Sequence, residues 1–219
     1  MKQYIKSKQK LYPDGSKQIT IYQEPKILYR GTNYKSRRKE SCTREAQKEE
    51  ERYKKKLQAK NKIIDYIKCN QFKYFWTLTF SMDYYDDKYF DIFADWLKKM
   101  KRRYGKFDYI FIPERSENGR IHFHGVSSDI DLKKFEWTYG TKQIEEIKNE
   151  IRIGMYITKG FNSKEEVVLK GKKRYWCSKG LKTPIVEQVS EDLTPAISPQ
   201  WISEDGRVTI YYLFNIRET

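Results

Sequence analysis

The sequence predicts an α+β protein in which a central antiparallel sheet carries helices packed on it. Strand-like and helix-like segments follow one another in the order strand, helix, hairpin, helix, strand over residues 73–214, which suits one antiparallel sheet with helices on one face. An Asn118-Gly119 pair between two apolar runs marks the tight hairpin within that order. At 219 residues the chain can build one substantial core, and it reads as a basic N-terminal arm and helix over residues 1–70 ahead of a domain over 71–219.

Residues 1–40 suggest a short hairpin and a basic loop, with strands at Gln18–Tyr22 and Lys26–Tyr29 and a turn at Glu24-Pro25. From Thr43 to Ile67 the spacing of Tyr53, Leu57, Ile64 and Ile67 predicts a helix, supported by the pairs Glu50/Lys54 and Glu51/Lys55. Residues 73–80, Lys-Tyr-Phe-Trp-Thr-Leu-Thr-Phe, suit a buried strand because aromatic and β-branched side chains fit a pleated surface. A helix follows over 88–104, where Phe90, Phe93, Ala94, Leu97, Met100 and Tyr104 keep helical spacing. Strands at Tyr109–Glu114 and Arg120–Val126 flank the Asn-Gly turn. A mixed segment near 131–148, a helix near 150–160, a basic and aromatic stretch at Lys170–Lys182 and a last strand at Arg207–Phe214 complete the order, with no internal repeat.

The 45 Lys and Arg exceed the 30 Asp and Glu by 15, which favours a polyanionic partner, either nucleic acid or an anionic membrane surface. Residues 1–70 hold 20 basic and 8 acidic side chains, against 25 and 22 over 71–219, so the excess is concentrated in the first third. No apolar stretch approaches the roughly 20 residues that span a bilayer. The start MKQYIKSKQK lacks the apolar segment of a signal peptide, so a cytoplasmic protein is expected. Cys42, Cys69 and Cys177 are odd in number and widely spaced, which predicts reduced thiols and no disulfide framework or cysteine zinc site. The sequence holds no G-x-x-x-x-G-K-[ST] phosphate loop, so any strand unwinding is expected from a partner.

His122 and His124 are the only histidines, and two residues apart on a strand they share a face. Taken alone, such a pair can equally fill a half-buried strand. Glu114 closes the preceding strand, and an antiparallel hairpin can return it to the histidines. Two imidazoles and a carboxylate leave positions open for substrate and water, as in catalytic metal sites. Such ligands suit zinc as well as manganese, while phosphate chemistry in cells usually employs magnesium or manganese.

One tyrosine among 18 needs a better reason than its identity. In a helix through Tyr156, Lys159 lies three residues on and Arg152 four before, on the same face, while Ile153 and Ile157 form the packing side. A phenol with a pKa near 10 is a poor nucleophile at neutral pH, so positive charge from Lys159 or a metal would help the phenolate form. A buried tyrosine beside an exposed lysine is the plain alternative. Tyr175 and Lys179 compete at a spacing of four in a strand-like or loop-like setting. Lys170, Lys172, Lys173, Arg174, Lys179 and Lys182, with Tyr175 and Trp176 among them, suit phosphate contact plus base stacking, and Arg37, Arg38, Lys39 and Arg44 suit a grip on flanking duplex. Either run could equally be a solvated surface.

The ordered set Phe75-Trp76-Thr77-Leu78-Thr79-Phe80, His122-Phe123-His124 and Tyr156-Ile157-Thr158-Lys159 resembles the three motifs of single-tyrosine rolling-circle replication initiators of the HUH superfamily. The resemblance covers about residues 73–182, including Arg174–Lys182, which looks like a segment that follows the tyrosine motif in initiators of bacterial plasmids and small phages. It implies a ferredoxin-like or RRM-like core, His122, His124 and Glu114 as ligands of Mn2+ or Mg2+, Tyr156 as nucleophile and Lys159 as its positioning partner. It further implies nicking and rejoining of single-stranded or hairpin origin DNA through a 5′-phosphotyrosine, with Arg152 among the DNA contacts and a separate helicase and polymerase as partners. Members with a fused helicase carry a phosphate loop that is absent here. A single-tyrosine relaxase or transposase uses similar chemistry, and a non-catalytic RRM-like nucleic-acid-binding protein would need neither Tyr156 nor metal.

Overall fold

In the computed structural model of the chain the described residues are 2–29, 44–81, 88–116, 120–132, 135–162 and 173–214. Among them, ten strands form two five-stranded antiparallel sheets and three α-helices accompany them, an α+β architecture as expected. The strands are β1 Lys2–Leu11, β2 Lys17–Tyr29, β3 Tyr74–Phe80, β4 Tyr109–Arg115, β5 Ile121–Ser127, β6 Gly140–Glu146, β7 Trp176–Cys177, β8 Ile185–Val189, β9 Trp201–Ile202 and β10 Val208–Leu213. The helices are α1 Arg44–Cys69, α2 Lys88–Tyr104 and α3 Glu150–Ile157, and a 3-10 turn follows at Lys159–Asn162. Two compact units result, one from Met1–Glu50 with Thr183–Thr219 and one from Glu51–Lys182, which divides the chain differently from the boundary expected near residue 70.

The first unit holds the sheet β8-β1-β2-β10-β9. Its hairpin turns at Pro13-Asp14-Gly15: Tyr12 N–H donates to Ser16 O at 3.0 Å, and Asp14 Oδ1 accepts from both the backbone and the hydroxyl of Ser16. Gly15 takes the left-handed φ of 80° that such a turn requires. The expected turn at Glu24-Pro25 is therefore corrected, because both residues lie inside β2. There the β1–β2 register jumps from Ile5↔Lys26 to Ser7↔Ile21, so the dipeptide occupies a bulge, where the missing proline N–H breaks no ladder bond. The last strand, β10, also departs from expectation: it pairs with β2 in this sheet and not with β3–β5.

The second unit holds the sheet β6-β3-β5-β4-β7. Strands β3 to β6 lie in the spatial order fourth, first, third, second, with α2 joining β3 to β4, which is the pattern of a ferredoxin-like unit. One face carries Trp76, Leu78, Phe80, Phe111 and Phe123 against Phe90, Phe93, Trp96, Leu97 and Met100 of α2. Phe93 stacks on Phe123 with ring centroids 3.9 Å apart and planes within 4°. Phe135 and Trp137, from the connection between β5 and β6, fill the rest of that face.

The opposite face is not bare, as helices on one face would require. Ile110, Ile112 and Val126 pack there against Ile63 and Ile67 of α1, Ile157 of α3 and Phe161 of the turn beyond it. The buried stripe of α1 is accordingly Ile63 and Ile67, one residue round from the expected Ile64, and Tyr53 is exposed. The ion pair Glu51–Lys55 forms at 3.0 Å. These helices leave one end of β3, β4 and β5 uncovered, and that opening contains the site.

Candidate active site

Strand alternation puts His122 and His124 on the α1/α3 face of β5, and the two ladders beside it decide their neighbours. Glu114 stands opposite His122 on β4, while Thr79 and Thr77 stand opposite His122 and His124 on β3. The imidazoles lie 6.1 Å apart between centroids with planes 8° apart. Each is fixed through Nδ1: His122 shares a 2.8 Å hydrogen bond with Thr79 Oγ1, and His124 a 3.2 Å bond with Thr77 Oγ1. His124 Nε2 reaches Glu114 Oε2 at 3.0 Å, and Lys159 Nζ reaches the other carboxylate oxygen, also at 3.0 Å.

Burial acts on Glu114 first and would raise its pKa, but the bonds from His124 and Lys159 outweigh it and hold the carboxyl below its ordinary value. The same carboxylate raises the Lys159 pKa, so this lysine stays cationic. His122 is shifted down, chiefly by burial and then by the charge on His124, which keeps it neutral and available as a ligand.

Helix α3 brings the tyrosine. Asn149 caps it by accepting from Arg152 N–H at 2.9 Å, and Gly154 and Ile157 are its buried positions. An added Cβ on Gly154 would meet Ile67 Cδ1 of α1 at 3.6 Å, so the two helices run close there. The helix ends at Ile157 and not near 160: buried Thr158 turns its hydroxyl back to Gly154 O at 2.7 Å and the chain tightens into the 3-10 turn. Lys159 thus leaves the helix, yet remains beside Tyr156, its Nζ 4.6 Å from the ring centroid. Tyr156 is 44 % exposed and meets Phe75 and His124 edge-on, at 5.8 and 5.4 Å between centroids.

The result is an open cleft of about 650 Å3 lined by Glu114, His122, His124, Tyr156 and Lys159 together with Thr77, Arg115, Ser116 and Gln143. All five residues expected to carry the chemistry converge there. The donor set, two imidazoles and a carboxylate on adjacent strands, suits a divalent cation. Among the described residues, however, no three such groups are drawn around one point: Glu114 is occupied by His124 and Lys159. Sequence reading gave no role to Thr77, Thr79 or Gln143, although the alternate threonines of β3 match the alternate histidines of β5 in period.

The expected DNA contacts fare unevenly. Arg37, Arg38, Lys39, Lys170 and Lys172 lie outside the described residues, as does the Asn118-Gly119 turn. Arg44 and Arg152 are exposed, as is Lys182, whose backbone is clamped by Asn70 at the end of α1. Trp176 is a correction. At 8 % exposure it packs on Phe90 and Phe93 in the core beneath α2, so its ring is closed to a base. Lys173, Tyr175 and Lys179 line a different cleft from Tyr156, which separates the competing tyrosine and lysine from the histidines. Arg174 is half-buried.

Fold and site together define an α+β protein whose sheet joins two imidazoles, a carboxylate, a lysine and a tyrosine in one cleft. Residues 73–165, under half of the chain, match a family model described as replication-associated protein of the ORF2 type. That span begins one residue before β3 and runs past Lys159, so it contains every residue expected to carry the chemistry. No curated protein and no solved structure matches the chain. Among the described residues no helix is long and apolar enough to cross a membrane.

Proposed function

We propose that the chain is a rolling-circle replication initiator that nicks and rejoins single-stranded or hairpin origin DNA. The observation that carries the reading is the meeting of Tyr156 and Lys159, from α3 and the turn after it, with His122, His124 and Glu114 of the sheet in one cleft. Tyr156 Oη attacks the scissile phosphorus, the P–O3′ bond breaks, and the electron pair leaves with the 3′ oxygen, which takes a proton from water. A 5′-phosphotyrosine and a free 3′-hydroxyl result. A later 3′-hydroxyl reverses the step, because the phosphodiester's energy is kept in the link.

His122, His124 and Glu114 would hold Mn2+ or Mg2+, which when bound supplies Lewis-acid polarisation of a phosphate oxygen. Lys159, cationic and tethered to Glu114, orients the Tyr156 ring and offers charge to the phosphate. Arg152, Lys173 and Lys179 serve as phosphate contacts on either side. A separate helicase and polymerase would act at the freed 3′ end.

The test is incubation with labelled single-stranded origin DNA and Mn2+, followed by a denaturing gel. Wild type gives a covalent adduct, Tyr156→Phe gives none, and His122→Ala loses cleavage while still binding DNA. Binding without any adduct from wild type would replace this reading with that of a non-catalytic nucleic-acid-binding protein.

A further inference from the structure

A second cleft opens at the β7 edge of the same sheet, on the α2 side, with a volume of about 800 Å3. Its lysines come from three separate segments: Lys98 and Lys101 near the end of α2, Lys106 in the loop that follows, and Lys173 and Lys179 flanking β7. No Asp or Glu lines it. Lys98 is paired with Asp95 at 2.8 Å, and Asp108 beside the cleft accepts from Ser178 Oγ at 3.1 Å. Lys101, Lys106, Lys173 and Lys179 are exposed and have no acidic partner among the described residues; Lys101 Nζ rests 5.0 Å from the Tyr109 ring centroid.

We propose that this cleft grips the phosphate backbone of nucleic acid at a distance from the reaction centre, without reading bases. Charge complementarity is the first reason, since four unpaired ammonium groups from segments far apart in sequence are costly to gather unless an anion joins them. The second reason concerns the floor. Phe107, Tyr109 and Trp176 are buried, so no open aromatic platform is offered on which bases could stack. Flexible lysine stems deliver point charges that suit phosphates in any register.

The third reason is position. Tyr109 begins β4 and Glu114 stands five residues on, which places the two clefts about 17 Å apart along that strand and on opposite faces of the sheet. A strand held at one can continue to the other without competing for it. The inference rests on the DNA partner proposed above and not on the nicking step.

The full-length chain is titrated with a labelled long single strand of mixed sequence and, separately, with its duplex, at several salt concentrations. Lys101→Glu/Lys106→Glu is expected to weaken binding at least tenfold and to flatten the salt dependence by about 0.7 for each phosphate no longer neutralised on single strands, or about 0.9 on duplex. Lys101→Arg/Lys106→Arg is expected to keep wild-type affinity and slope, which separates charge from damage to the fold. Loss confined to duplex assigns the grip to flanking DNA, and loss confined to the single strand assigns it to the displaced strand. Wild-type affinity and slope in the charge-reversed variant, on both probes, would overturn the proposal. An adduct assay that fails in wild type while the slope still changes here would remove the nicking reading alone.

Discussion

Two threonines set how the histidines present themselves. A hydroxyl both gives and accepts a hydrogen bond, so Thr77 and Thr79 can serve either tautomer of the rings they hold. With Nδ1 donating to threonine, Nε2 is left bare for a cation. Thr79→Val should therefore lower Mn2+ affinity by about 10–100-fold with little change in fold, measurable by calorimetry and circular dichroism. Glu114 gives a pH prediction. Its folded pKa is lowered, so its stabilising effect is complete above the ordinary glutamate value and is lost as pH falls through the lower folded one. Glu114→Gln should flatten the fall in melting temperature on acidification across that acid window. The histidines and Glu114 were legible in the sequence because one short hairpin joins them. The threonines were not: Thr79 and His122 lie 43 residues apart, and no local pattern announces that register.

At the scale of elements, close approach decides what the glycines tolerate. Gly125 of β5 lies directly under the Phe111 ring, where an added Cβ would fall within the ring's own volume, whereas Gly154 of α3 meets Ile67 at ordinary contact distance. Gly125→Ala should destabilise by roughly 1–3 kcal/mol through overpacking. Gly154→Ala should be neutral or stabilise by about 0.5–1 kcal/mol through reduced chain entropy in a helix. Chemical denaturation of both variants would check the contrast. Tyr104, at the end of α2, has a buried hydroxyl with no hydrogen-bond partner among the described residues, and burial raises its pKa. Tyr104→Phe should accordingly leave stability equal or higher, by up to about 1 kcal/mol.

Helix α2 was fully legible because its apolar spacing is strong and one face is buried along most of its length. In α1 the pattern was ambiguous by one residue, since isoleucines stand at both 63 and 64 and only packing against the sheet selects Ile63. The end of α3 was hidden for a different reason. Thr158 is a passable helix residue, and only its buried position turns the hydroxyl back onto Gly154.

Across the whole molecule, the charge excess of 15 makes association with DNA an ionic process. If about six phosphates are neutralised, affinity should fall roughly a thousandfold between about 50 and 200 mM salt, a dependence that fluorescence anisotropy would measure. The sheet of the second unit was legible in outline, since its strands β3 to β5 are strongly patterned and close in sequence. The first sheet was not. Its strands are half-exposed and partly polar, and β2 lies between β1 and β10, partners from opposite ends of the described chain.

That sheet has a consequence for synthesis. Tyr22 of β2 pairs with Val208 of β10, so when the ribosome has made every strand of the cleft-bearing unit, one flank of β2 still waits for its neighbour. A two-stranded hairpin alone is marginal in water. The nascent chain can thus complete its chemical centre early while displaying an unfilled strand edge, the part of the molecule on which a chaperone has most reason to act until the final stretch emerges.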